Sequence, residues 1–244
     1  MEDRVFAKPQ DHIVDFAFNE DVVGVFPDMI RRSVPGYELV IPMGGLMAAR
    51  HLGATGTAFD LGCSLGASSL ALLSQCPSPD VRVIGVDRSA AMIDQAKRNI
   101  DDPRIAFHCD DLLTTKVTGA KVVMLNFVVQ FLPPESRADL LQRIAQEMDP
   151  AGLLILSEKV QDERPNVQAF YDSTHLAWKR ANGYSTLEVS QKRQALENVM
   201  RVESPQTHHA RLISAGFNDI VLWFHCMNWI SFAASPTRVL HASS

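Results

Sequence analysis

The sequence predicts an α/β protein built on a doubly wound, mostly parallel seven-stranded sheet, with helices ahead of the sheet and a helical segment inserted late. Three observations predict it. Five short runs rich in Val, Ile and Leu recur between residues 56 and 159, and each ends in a polar residue. Helical patterns separate the runs, and strand–helix alternation gives a parallel sheet with right-handed crossovers. A final pair of runs, "NDIVLWFHCMNWISFAAS", reads as two closing strands in a hairpin around Cys226 to Asn228.

Up to about Ala54 the chain is a lead-in. "DVVGVFPDMIRRSVPGYELVI" combines helical apolar spacing with breakers at Pro27, Pro35 and Gly36, which predicts short helices that cover something. The first strand is "GTAFDLG". "VRVIGVD" is the second and ends in Asp87; "RIAFHCDD" is the third and ends in Asp110 and Asp111. "AKVVMLNF" is the fourth, ending in Asn126, and "GLLILSEK" is the fifth. Runs of this length and composition suit strands buried on both faces.

Between them, "SSLALLSQ" is helical. "SAAMIDQAKRNI" has Ser89 as its N-cap and Met92, Ile93, Ala96 and Ile100 on one face. "PPESRADLLQRIAQEM" starts on proline and has Gly152 beyond its end. After Lys159 the alternation stops. A helical insert over about 160–205, broken at Gly183, is too long for a plain crossover and reads as a lid or an interface. "THHARLISAGF" is a further helix ending at Gly216.

Composition narrows the function. With 244 residues, 46% hydrophobic and 21% charged, the chain can bury one sizeable core, so residues 1–244 are expected to form a single domain. A net charge of -5 argues against a direct nucleic-acid partner, which needs clustered Lys and Arg. No apolar run is long enough for a bilayer, and "MEDRVFAKPQ" lacks the apolar core of a signal peptide, so a cytoplasmic location is expected. The four cysteines form no C-x-x-C pair and read as free thiols, and no metal site is expected.

In a doubly wound sheet, ligands bind outside the carboxyl ends of the strands. "FDLGCSLGASSL" places Gly62 and Gly66 between the first strand and its helix, where backbone must turn tightly and approach a ligand. Asp87 would accept from ribose hydroxyls and Asp110 from an adenine amino group, with Asn126 near the reacting end. Together they favour a nucleoside. Asp60, just before the loop, disfavours a pyrophosphate but suits S-adenosylmethionine, which has no phosphate and carries a sulfonium.

This order of residues and the closing hairpin resemble the seven-strand S-adenosylmethionine-dependent methyltransferase superfamily, whose fold is Rossmann-like (class I), although Ser64 replaces the middle glycine of the usual Gly-x-Gly-x-Gly. The strings "VFPDMIRRSVPGY", "DLGCSLGASSL", "LNFVVQFL", "LSEK", "KRANGYSTLEVSQKR" and "ENVM" resemble the carboxy-S-adenosyl-L-methionine synthase family, from about Asp15 to Ala233. Within that family Ser64 is the expected residue, with its hydroxyl available to the ligand. The resemblance implies binding through Tyr37, the Gly62-Cys63-Ser64 turn, Asp87 with Arg88, Asp110 with Asp111, Asn126 and Arg193. Arg88 stands where the family carries an amide and Asp111 where it carries an apolar residue, so backbone contacts are expected at both.

The resemblance also implies the chemistry: S-adenosyl-L-methionine and prephenate become carboxy-S-adenosyl-L-methionine and phenylpyruvate. A homodimer is implied too, as is delivery of the product to a tRNA carboxymethyltransferase acting on wobble uridine. Arg193 is the expected catalytic group, clamping the new carboxylate with paired N–H bonds. The competing readings are an ordinary S-adenosylmethionine-dependent small-molecule methyltransferase and a non-catalytic binding protein. Lys192, Arg180, His208 and His209 are expected on solvated surfaces. Trp178, Trp223 and Trp229 are expected to pack, and Tyr184 to serve the lid or the turn beside Gly183.

Overall fold

A computed structural model describes residues 2–8, 16–197 (Glu197 by its backbone alone) and 199–240 of the 244. The expected single domain also takes in residues 1, 9–15, 198 and 241–244, which lie outside that description. The sheet has seven strands: β1 (Gly56–Leu61), β2 (Val81–Asp87), β3 (Ile105–Cys109), β4 (Val122–Asn126), β5 (Leu153–Lys159), β6 (Asp219–Cys226) and β7 (Trp229–Ser235). Their order is β3-β2-β1-β4-β5-β7-β6, and β7 alone runs antiparallel to its neighbours. Strand order reverses between β1 and β4, so a crevice opens outside their carboxyl ends.

Alternate residues face opposite layers, as the period of a strand requires. Leu154 and Leu156 of β5 face α6 (Pro134–Glu147) and α9 (Pro205–Ala215) through Leu140, Leu141, Ile144 and Leu212. Leu153 and Ile155 face the other layer, where α3 (Tyr37–Leu52) meets α4 (Ala67–Leu73). A side chain at Gly45 of α3 would stand 2.5 Å from the Ala71 backbone, so glycine is what lets these two helices touch. α5 (Ala90–Asn99) starts on the expected Ser89 cap, whose hydroxyl accepts from Met92 N–H at 3.2 Å, and packs by Ile93 and Ala96 near Phe107.

The lead-in is less broken than its prolines predict. α1 (Glu20–Val23) and α2 (Phe26–Ser33) are short, with Pro27 in the first turn of α2 and the Pro35-Gly36 pair ahead of α3. α3 itself runs 16 residues with Pro42 inside it and covers one face of the sheet. The insert forms α7 (Pro165–Ala181) and α8 (Thr186–Glu197), separated at Asn182-Gly183 as expected.

One surface expectation fails here. His208 is 1% exposed, because its face of α9 turns inward beside Leu212 rather than outward with His209, which is exposed. Burial and nearby Arg211 lower its pKa to about 4, so it is neutral. Arg137 of α6 is wholly buried beside the start of α9. It donates to the Leu132 carbonyl at 2.9 Å and the Arg201 carbonyl at 2.9 Å, and pairs with Glu203, which Arg211 also holds. This network ties the end of the helical insert to the sheet. Arg137→Met should cost about 3 kcal/mol, because Glu203 is left with Arg211 alone and the Leu132 and Arg201 carbonyls lose this donor. Denaturant unfolding checks it, and a loss below about 1 kcal/mol would contradict this role.

Candidate active site

The crevice at the reversal of strand order opens into a cavity of about 1190 Å³. Its floor is backbone. Gly62 follows β1 with φ +78°, and a Cβ there would sit 2.4 Å from a Val128 methyl. Gly62 and Cys63 N–H both donate to the Val86 carbonyl, at 2.7 and 3.0 Å, which folds the loop over the end of β2. There Asp87 accepts from Ser64 N–H at 2.8 Å on one oxygen and from Ser89 N–H at 2.9 Å on the other. Each oxygen keeps a free acceptor position. Burial raises the Asp87 pKa, against the pull of its two N–H bonds.

Tyr37, Gly62, Cys63, Ser64, Asp87, Arg88, Asn126 and Arg193 all line the cavity, so the fold gathers eight of the ten expected residues. Cys63 is buried, which raises its thiol pKa and leaves its backbone as the useful part. The Ser64 hydroxyl is turned to the Met92 sulfur at 3.5 Å, so it is the Ser64 N–H that serves the loop, by bracing Asp87. Asn126 is the end of a buried polar row. It donates to Ser68 Oγ at 3.0 Å and accepts from Ser157 Oγ at 2.6 Å, and Ser157 meets Ser231 Oγ at 2.8 Å. Asp60 lies under the loop, where it accepts from Ser69 N–H and Oγ; burial raises its pKa to about 6.

Asp110 and Asp111 do not reach the cavity wall, whereas Leu112 does. β3 is an edge strand, and the turn after it points Asp110 to solvent. Asp110 accepts from Asp111 N–H at 2.7 Å and Asp111 from Leu113 N–H at 2.9 Å, so one oxygen of each braces the turn. Asp110 N–H donates to the Asp87 carbonyl at 3.1 Å, which joins this turn to the end of β2.

The wall away from Asp87 is cationic, and most of it was not expected. Lys159 ends β5. Gln168, Asp172, His175 and Lys179 recur at four-, three- and four-residue steps and share one face of α7. That spacing, beside a lysine at a strand end, is the signal that finds them. Burial, then Lys192, Lys159 and Arg193, lower the Lys179 pKa to about 7. Burial also lowers Lys159. His175 Nε2–H donates to the Ser33 carbonyl at 2.9 Å, and burial with nearby Lys179 drops its pKa to about 3.

Lys192 corrects the solvated reading of "SQKRQ". It is 5% exposed, because this side of α8 packs on α2 and the N-terminal segment. Its ammonium donates to Ser33 Oγ at 2.9 Å and stands 3.5 Å from buried Asp3. Asp3 also accepts from the buried Tyr184 hydroxyl, whose ring lies 3.9 Å under the Arg32 guanidinium. Tyr184 therefore fastens the insert. Among the tryptophans, Trp229 lines the cavity, its ring 4.5 Å from that of His175. Among the described residues, no group of three His, Cys, Asp or Glu is placed to hold a metal ion, and no helix is long and apolar enough to cross a membrane.

A methyltransferase domain model matches residues 58–152. Human N-acetylserotonin methyltransferase, solved with its S-adenosylmethionine ligand, superimposes with a TM-score of 0.59 at 17% identity over 88% of this chain and 55% of that one. An O-methyltransferase family protein from Burkholderia thailandensis gives 0.62 at 16% over 89% and 60%. Fold and strand order are thus those of the class I S-adenosylmethionine-dependent methyltransferases. Whole-chain relatives are closer. The carboxy-S-adenosyl-L-methionine synthases of Trichlorobacter lovleyi and Actinobacillus succinogenes are 46% and 44% identical over 95% of this chain and 97% and 98% of theirs. That of Pseudomonas fluorescens is 45% identical over 96% and 98%. The chain belongs to the carboxy-S-adenosyl-L-methionine synthase family of transferases.

S-adenosylmethionine fits the residues present: a glycine floor that admits no Cβ, and a carboxylate with an open acceptor position on each oxygen. Asp87→Ala should weaken S-adenosylmethionine about 100-fold, the loss of two hydrogen bonds to a charged acceptor. Calorimetry on the folded variant checks this; parental affinity would mean that the ribose does not bind at the end of β2.

Proposed function

We propose that the protein converts S-adenosyl-L-methionine and prephenate to carboxy-S-adenosyl-L-methionine and phenylpyruvate. The observation that carries this reading is the cationic wall opposite Asp87. A methyltransferase gains nothing by gathering Arg193, Lys159 and Lys179 around a sulfonium, because like charges repel. A cavity that handles carboxylates does. The identity of 44–46% to carboxy-S-adenosyl-L-methionine synthases over nearly the whole chain supports the same reading.

The atoms balance without a side-chain base. Prephenate loses its ring carboxylate as carbon dioxide and its ring hydroxide, and aromatises to phenylpyruvate. The methyl carbon next to the sulfonium gives its proton to that hydroxide, forming water, and bonds to the carbon dioxide. In this reading Asp87 holds the ribose and Arg193 receives the carboxylate. α7 and α8 cover the space in which carbon dioxide would otherwise be lost to solvent.

The product would pass to a tRNA carboxymethyltransferase for wobble-uridine modification. A homodimer is part of the reading, with the insert near the interface. Of the insert's apolar side chains, Phe170 and Leu187 are exposed and available for such a contact, whereas Leu176 and Met200 face the cavity.

Arg193 separates this function from ordinary methyl transfer. Arg193→Ala should weaken carboxy-S-adenosyl-L-methionine by about 2 kcal/mol, roughly thirtyfold, and leave S-adenosylmethionine unchanged or tighter. Phenylpyruvate release from prephenate should fall with it. Arg193→Lys should restore part, keeping charge but not the planar fork. Calorimetry with both ligands checks it; equal losses for the two would remove the carboxylate from Arg193.

A further inference from the structure

One arginine on α8 accounts for one carboxylate, and the cationic wall holds three lysines besides. Lys159 comes from the end of β5 and Lys179 from the last turns of α7, so neither shares an element with Arg193. Lys192, the fourth cation, is already matched by Asp3 and Ser33. Lys159 and Lys179 are not matched. Among the described residues neither ammonium group makes a hydrogen bond or an ion pair, although both residues line the cavity. The acid that faces them is Asp172, which accepts from Gln168 Nε2 at 2.9 Å. Glu38 and Asp87 line other parts of the wall, as do Arg31 and Arg88.

Buried ammonium groups crowded together are unfavourable: burial, then Lys192, Lys159 and Arg193, lower the Lys179 pKa to about 7. Such an arrangement is relieved when an anion enters. Trp229 supplies a flat apolar surface at the same place, with Lys159 Nζ 5.8 Å from its ring. An anionic group attached to a ring system meets complementary chemistry here.

We propose that Lys159 and Lys179 form a second anion subsite, which holds the carboxylate of the donor that is not transferred. The donor is then gripped as a dianion, one carboxylate toward Arg193 and one between the lysines. This rests on the function proposed above. It makes the two products report on different cations. Phenylpyruvate keeps the carboxylate held by the lysines, whereas carboxy-S-adenosyl-L-methionine keeps the one held by Arg193.

Lys159→Met, Lys179→Met and Arg193→Ala separate these roles. In protein saturated with S-adenosylmethionine, each lysine variant should weaken phenylpyruvate at least tenfold in calorimetry, with Arg193→Ala changing it less than threefold. For carboxy-S-adenosyl-L-methionine the pattern should reverse. KM for prephenate should rise at least tenfold in the lysine variants with a smaller change in kcat, and Lys159→Arg and Lys179→Arg should retain most of the affinity. Removing a crowded cation should leave thermal unfolding unchanged or raise it; where a methionine variant unfolds earlier, the glutamine variant replaces it.

The subsite is overturned if phenylpyruvate fails to bind the parent. It is also overturned if the lysine variants bind phenylpyruvate as the parent does, or lose both products equally. A parent that forms no carboxylated product, yet binds phenylpyruvate in a lysine-dependent way, would overturn the proposed reaction and leave the subsite standing.

Discussion

The Asp87 carboxylate is where three segments meet. Ser64 N–H reaches it from the loop after β1, Ser89 N–H from the start of α5, and its own strand fixes its height in the sheet. Without it, the loop keeps its two bonds to the Val86 carbonyl and the Gly66 N–H bond to the Cys63 carbonyl, but Ser64, at its left-handed φ of 49°, loses its own partner. The same two N–H bonds aim the remaining lone pairs into the cavity. A local backbone constraint thereby becomes a recognition element for a diol.

The opposite end of the cavity is set by buried polar chemistry of another kind. Asn126, Ser157 and Ser231 run across β4, β5 and β7. Next to them, Glu158 accepts from Val129 N–H at 2.8 Å and Gln130 N–H at 2.9 Å. Burial raises the Glu158 pKa to about 8 against these bonds and Arg137. These contacts fix the turn after β4, whose Val128 side chain closes over Gly62. Lys159 follows Glu158 directly, so the anchored carboxylate also sets where the cationic wall begins. The result is a cavity with an acceptor end and a cation-rich end, joined by a floor of hydrogen-bonded backbone.

Much of this was legible in the sequence for simple reasons. β1, β2, β4 and β5 are short, largely buried runs, whereas the edge strand β3 buries only Phe107 and departs from the expected burial on both faces. Ser89, Pro134 and Gly216 marked helix ends through local chemistry that needs no tertiary context. What was missed depends on partners distant in sequence. Lys192 looks like a solvated lysine until Asp3, 189 positions earlier, is packed beside it. His208 looks like surface beside His209 until α9 docks on α6. Asp110 stands outside the cavity lining because β3 is an edge strand and the turn after it leaves Asp110 exposed, a placement that strand order decides and local pattern does not. The face of α7 carrying Asp172, His175 and Lys179 was readable by its spacing, but nothing local distinguishes a cavity wall from a solvated stripe.

The central claim is that the cation-rich end handles a carboxyl group that moves onto the S-adenosylmethionine methyl carbon. The most direct measurement follows that carbon. The purified protein is incubated with S-adenosylmethionine and with prephenate labelled with carbon-13 in its ring carboxylate, and the adenosyl products are analysed by mass spectrometry. The expected product is heavier than S-adenosylmethionine by one carbon dioxide and carries the label. S-adenosylhomocysteine as the product, or a carboxylated product without the label, would contradict it.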